Sequence, residues 1–145
     1  MNYIEFSSKI DATPAVIWDI LTDKDQLLAG NVGITRLEGD IRLGNKIKLW
    51  AEVGGDRAFP IKIIEMDMNK KMVWQGGMPL GLFTGTRQFN ITQDGNGSIF
   101  HLREDYTGLL TNMIRKSMPD MNPSFEKFVV GVKRLAEAKA GETQS

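Results

Sequence analysis

The stretch Phe83-Thr-Gly-Thr-Arg87-Gln-Phe89-Asn-Ile91-Thr-Gln-Asp94-Gly-Asn-Gly97-Ser-Ile-Phe100-His-Leu102-Arg-Glu104-Asp-Tyr106 decides how this chain folds. Two runs of period-two alternation flank a Gly-rich turn, the pattern of a β-hairpin. With Gly95-Asn96 as a two-residue loop, Asp94 faces Gly97, and the register follows. Ile91 then stands opposite Phe100, Phe89 opposite Leu102, and Arg87 opposite Glu104. A slip of one residue would set the apolar side chains against Asn90 and Gln88, so burial selects this register. The result is an apolar face that carries one pair of opposite charges.

Working back towards the N-terminus, residues 3–10 alternate as a half-buried strand, with Ile4, Phe6, Ser8 and Ile10 on one face. Thr13-Pro14 then starts a helix, Thr13 as cap and Pro14 at the first helical position. That helix runs from Ala15 to about Thr22. A second short helix, Asp25 to Gly30, ends at Gly30-Asn31. Glycines next punctuate strand-like runs at 33–39, 46–53, 58–67 and 71–77. A three-residue loop, Gly55-Asp56-Arg57, predicts that Val53 pairs with Phe59. Pro60 cannot donate to a ladder, so it belongs at a bulge or away from a partner. Short strands separated by turns make an antiparallel meander.

Towards the C-terminus the period changes. Leu109, Leu110, Met113 and Ile114 suggest a short helix, interrupted at Ser117-Met-Pro119-Asp. From Asn122-Pro123 the residues Phe125, Phe128, Val129, Val132, Leu135 and Ala136 form a helical stripe. Glu126, Lys127, Lys133, Arg134 and Glu137 lie opposite it. Asn122 is the expected cap. The helix is expected to fray beyond about Ala138. Strands gathered together and then a helix define an α+β domain over residues 1–139, with a disordered tail at 140–145.

Composition narrows the function classes. The 145 residues are 41% hydrophobic and 25% charged, with 18 basic and 18 acidic side chains, which offers nucleic acid or a membrane surface little attraction. There is no cysteine, so disulfides, thiolate metal sites and a cysteine nucleophile are excluded together. The single histidine, His101, shares its parity with Arg103 and Asp105 and belongs on the outer face. No metal site or Ser/His/Asp arrangement is therefore expected. No phosphate-binding loop is present, and no cofactor is implied. The N-terminus lacks the pattern of a signal peptide and no apolar run reaches membrane-spanning length, so a cytoplasmic location is expected.

Five segments, grouped in three places, resemble the START/Bet v 1-like superfamily, also called the SRPBCC or polyketide cyclase-like group. Ala12-Thr-Pro-Ala-Val-Ile-Trp18-Asp-Ile-Leu-Thr22-Asp23 is similar to its strand-to-helix entry. Met72-Val-Trp74-Gln-Gly-Gly77 and Leu82-Phe83-Thr-Gly85-Thr-Arg87-Gln-Phe89 resemble its central strands. Arg103-Glu104-Asp-Tyr106-Thr-Gly108-Leu-Leu and Met118-Pro-Asp-Met-Asn-Pro123-Ser-Phe125 resemble its last strand and the entry to its final helix. The resemblance implies the helix-grip fold: a curved antiparallel sheet wrapped around a long C-terminal helix, with two short helices after the first strand and a cavity between sheet and helix. Members of the group bind lipids, sterols or hormones, cyclise polyketides, or assist a chaperone, so the fold alone does not name an activity.

The expected cavity wall consists of Trp74, Met78, Phe83, Arg87, Phe89, Leu102, Glu104, Tyr106, Met121 and Phe125. Trp50 is expected on the outer face and Trp18 in packing. Met78, Met113, Met118 and Met121 suit either an adaptable ligand portal or simple gap-filling. Arg87 and Glu104 either orient the polar end of a ligand and support proton transfer, or form a purely structural cross-strand pair. Tyr106 continues the Glu104 face as a possible donor to a ligand oxygen. The first functional expectation is the binding of a small hydrophobic or amphipathic molecule, without nucleic acid or stable membrane association. The alternatives are a cyclase or dehydratase using Glu104 as acid or base and Arg87 to polarise a carbonyl, and a chaperone-assisting module. A buried pair that loses one partner strands the other charge. Arg87→Ala is therefore predicted to cost about 3–5 kcal/mol, and an unchanged thermal midpoint would place the pair in solvent.

Overall fold

A computed structural model describes residues 2–144, with side chains placed as far as 142. The alternating stretches become β1 (Tyr3–Ile10), β2 (Ile34–Glu38), β3 (Lys46–Ala51), β4 (Ala58–Asp67), β5 (Lys71–Met78), β6 (Phe83–Asp94) and β7 (Gly97–Thr107). They form one curved antiparallel sheet in the order β1-β7-β6-β5-β4-β3-β2. The helices are α1 (Pro14–Leu21), α2 (Lys24–Ala29), α3 (Thr111–Ser117) and α4 (Asn122–Gln144). The sheet wraps α4, and α1 and α2 bridge its two edge strands. This is the helix-grip arrangement.

The β6–β7 register is the one expected, from Asp94 opposite Gly97 through Arg87 opposite Glu104. Gly95 takes a φ of 60° at the first loop position, a conformation that glycine adopts without steric cost. The β3–β4 turn differs from expectation. Glu52–Gly54 coil into a short 3-10 turn, so Leu49, not Val53, faces Phe59. The displacement is an even number of residues, and Leu49, Phe59 and Ile61 still share the inner face. Pro60 lies one residue outside the β4–β5 ladder, which begins at Ile61 opposite Gly76.

Helix ends also depart from the sequence reading. The Thr13 side chain makes no capping bond; its carbonyl accepts from Val16 and Ile17 while Pro14 starts the helix. Asp23 caps α2 by accepting from the Asp25 N–H. Gly30 stays at a negative φ, and the left-handed turn falls on Asn31. Gly30 is needed instead for close packing, since a Cβ there would lie 2.3 Å from Leu135 Cδ1. At α4 the acceptor is Asp120, which takes both the N–H and the side-chain amide of Asn122. The helix is carried to Gln144, past the end of the apolar stripe. Ser145, the last residue of the expected tail, lies outside the described residues.

The stripe of α4 buries Phe125, Phe128, Val129, Val132 and Ala136 against the sheet and α1. Its charged flanks are ties rather than a free solvent face. Lys133 donates to the Lys9 carbonyl and Arg134 to the Gly30 carbonyl, both at 2.8 Å, while Glu137 accepts from the Asp11 N–H. Lys139 pairs with Asp19. Gly131 lets the helix close on the α2–β2 link, where a Cβ would come within 2.6 Å of Val32. Phe128 is the aromatic keystone, with its ring centroid 5.8 Å from Phe89 and 6.4 Å from Phe100. Phe128→Ala is predicted to lower unfolding free energy by about 3–5 kcal/mol in urea titration.

Candidate functional site

The inner face of the sheet is organised in cross-strand rows about 7 Å apart along the strands. One row reads Phe6, Leu102, Phe89, Met72, Met66 and is wholly apolar. The next reads Ile4, Glu104, Arg87, Trp74, Ile63 and holds the charges. The third reads Tyr106, Gly85, Gly76, Ile61, Ile47. Two adjacent glycines strip the middle of that row of side chains, over a span of about 14 Å from Ile61 to Tyr106.

Above this bare floor the N-terminal half of α4 and the link from α3 stand away from the sheet, enclosing a cavity of about 650 Å³. Of the residues named from the sequence, Trp74, Met78, Phe83, Arg87, Glu104, Tyr106, Met121 and Phe125 line it. Phe89 and Leu102 do not. They share the required parity but sit one row deeper, fully buried, where Phe128 packs directly onto the sheet. Leu49, Phe59, Ile61, Ile114 and Met118 line the cavity without having been singled out as wall residues. The apolar parity of Leu49, Phe59 and Ile61 was the available signal. Met113 is mostly exposed and takes no part in the wall.

The polar residues of the wall form a chain. Arg87 Nε donates to Glu104 Oε1 at 3.3 Å, and Tyr106 Oη donates to Glu104 Oε2 at 2.5 Å. The Arg87 and Glu104 side chains are 20% and 15% exposed, so the pair sits inside the wall rather than at a hydrated edge. The face of the guanidinium lies over Phe125, 4.7 Å from its centroid. Tyr106 stacks on Phe83 at 5.8 Å, and Arg115 covers its ring at 4.7 Å. Burial first, then the Glu104 charge and the hydrogen bond to it, push the Tyr106 phenol well above the ordinary tyrosine range, against the pull of Arg87 and Arg115. The phenol therefore keeps its proton and directs it at Glu104. It is not a free donor to a ligand, which corrects the role expected for it.

The two glycines of the floor are not equivalent. A Cβ on Gly76 would lie 2.7 Å from the Pro60 carbonyl oxygen, whereas one on Gly85 would meet nothing closer than 3.7 Å. Trp74 is 2% exposed, and its Nε1–H finds no acceptor among the described residues. Its ring is tilted 60° against Phe89 at 4.7 Å.

Outside the cavity, His101 contacts Glu5 at 2.8 Å and Asn90 on the outer face, and Trp50 lies beneath Arg36. A smaller polar groove beside α1 and α2 is bordered by Asp19, Asp23, Lys24 and Arg42. Among the described residues no group of His, Asp and Glu is placed to hold a metal, and no helix is long and apolar enough to cross a membrane.

No family model and no curated protein matches the chain. Solved structures do match it. Protein MLL2253 from Mesorhizobium loti aligns with a TM-score of 0.71 at 16% identity, over 94% of this chain and 97% of that one. Major latex-like protein 151 from Panax ginseng aligns at 0.67 and 15% identity, over 95% and 96%. DynU16, a protein in the dynemicin biosynthetic locus, aligns at 0.71 and 13% identity over 97% of this chain but 49% of its own length, so this chain spans about half of it. At these identities the likeness is one of architecture. The chain has the START/Bet v 1-like fold of the SRPBCC group.

Proposed function

We propose that this protein binds a small, largely apolar molecule in the cavity between the sheet and α4. The observation that carries this reading is the bare Gly76–Gly85 floor under a cavity of about 650 Å³, ringed by Phe59, Phe83, Trp74 and Phe125. A few polar groups in an otherwise apolar hollow of this size are the usual composition of a small-molecule site. Glycines on adjacent strands also allow a ligand to lie against the backbone itself. The neighbours' architecture is compatible with this role and adds no ligand identity.

A catalytic reading rests on the Arg87–Glu104–Tyr106 chain in the cavity wall. Both Glu104 oxygens already accept a hydrogen bond, which favours a carboxylate that positions Arg87 over one that collects a substrate proton. Activity of a cyclase or dehydratase kind that survives Glu104→Gln would remove Glu104 from such a mechanism.

Binding is tested by native mass spectrometry against a panel of lipids and aromatic compounds, with Gly85→Val alongside the wild type. The added Cβ stands in ordinary contact with Glu104 and Tyr106, at 3.7 Å, and clashes with nothing, so the expected result is at least about tenfold weaker binding with a thermal midpoint within a few degrees of wild type. Failure of every compound to bind the wild type, or undiminished affinity in the folded variant, would count against the cavity as the site.

A further inference from the structure

We propose that the cavity selects a neutral ligand: an apolar molecule bearing an uncharged carbonyl oxygen, in preference to the matching carboxylate or hydrocarbon. This rests on the reading of the cavity as a binding site and concerns what its polar row recognises.

Most of the hydrogen-bonding capacity left open on that row is on the donor side. Arg87 engages Glu104 through Nε alone, and its two terminal nitrogens donate to no described residue. Stacking on Phe125 occupies the face of the guanidinium, while its N–H groups lie in the plane and point from the edge. The Trp74 indole N–H, the next on the row, also has no acceptor among the described residues but is itself fully buried, which leaves the Arg87 N–H groups as the donors a ligand can reach. Each Glu104 oxygen already takes one donor, from Arg87 and from Tyr106, so the carboxylate is partly engaged while the terminal N–H groups of Arg87 are wholly unengaged. A ligand that completes the row therefore brings an acceptor oxygen. A hydrocarbon would leave the donors as they are.

Charge then separates a carbonyl from a carboxylate. The single positive charge of Arg87 is matched by Glu104 beside it. The other charged groups of the wall are Glu52 and Lys127, which pair with each other at 2.7 Å, and Arg57, which is exposed and screened by solvent. Arg115 lies against the Tyr106 ring and is not part of the wall. A carboxylate accepting from Arg87 would make two anions share one partly buried cation, an arrangement that disfavours the charged form. A ketone, amide or lactone oxygen accepts the same N–H and leaves the charge balanced.

The test uses three naphthalenes of similar shape with the intact protein: 2-acetylnaphthalene, 2-naphthoate and 2-ethylnaphthalene, titrated calorimetrically near neutral pH. The ketone is expected to bind at least about tenfold more tightly than either of the others, the scale of one hydrogen bond to a charged donor. Glu104→Gln removes the counter-charge at nearly constant shape, and in the folded variant naphthoate should overtake the ketone. Naphthoate binding wild type as well as the ketone does would overturn the proposal, as would a folded Glu104→Gln with unchanged order. Equal affinity for all three would overturn the selectivity and leave the cavity as a binding site. No binding by any would overturn both. If Glu104→Gln fails to fold, the wild-type order alone decides.

Discussion

Because Arg87 stands opposite Glu104 and Phe89 opposite Leu102, a row of charge and a row of aromatic packing fall at neighbouring levels of one sheet face. A one-residue slip of β7 against β6 would turn Leu102 and Glu104 outward and send His101 and Arg103 into the core beside Phe89 and Arg87. The cavity depends on this register. The apolar row is where α4 touches the sheet through Phe128, and the charged row marks where contact gives way to open space.

The two halves of α4 perform different tasks. Its C-terminal half is held by buried Val132 and Ala136 and by ties to the Lys9 and Gly30 carbonyls, the Asp11 amide and Asp19. Each exposed tie contributes little alone, but together they join this half of the helix to β1, α1 and the end of α2. Its N-terminal half contributes Phe125 and Phe128 to the cavity wall, beside Met121 of the link from α3, with Lys127 reaching across to Glu52. The helix is clamped at one end so that it can roof a hollow at the other.

Most of the architecture was legible because it is written in local patterns. The Asp94–Gly97 turn sets its own register, and alternation marked the inner face of β1, β3, β4 and β6. The turn after β3 was misread because Glu52–Gly54 can continue a strand or coil, and alternation does not distinguish them. The error was harmless to the faces, since an even displacement preserves parity. The site was legible only in part. Parity told that Phe89 and Leu102 face inward, but not that α4 descends onto them. That depends on Gly30 meeting Leu135 and Gly131 meeting Val32, contacts between segments about a hundred residues apart in the chain. Likewise, residue types alone could not show that Tyr106 turns its proton to Glu104 rather than to the cavity.

The unequal clearances above the two floor glycines separate two kinds of constraint that usually fall on the same residue. Gly76 answers to the backbone of β4, whose Pro60 carbonyl leaves no room for a Cβ, so folding itself holds that position. Gly85 meets no such clash, for a Cβ there would stand in ordinary contact with Glu104 and Tyr106, at 3.7 Å, on the floor of the cavity. Interior volume can thus drift by substitution at one position while the sheet, the clamp and the charged row stay as they are. A lineage built on this scaffold could change the volume of the hollow by single steps, without passing through an unfolded intermediate sequence.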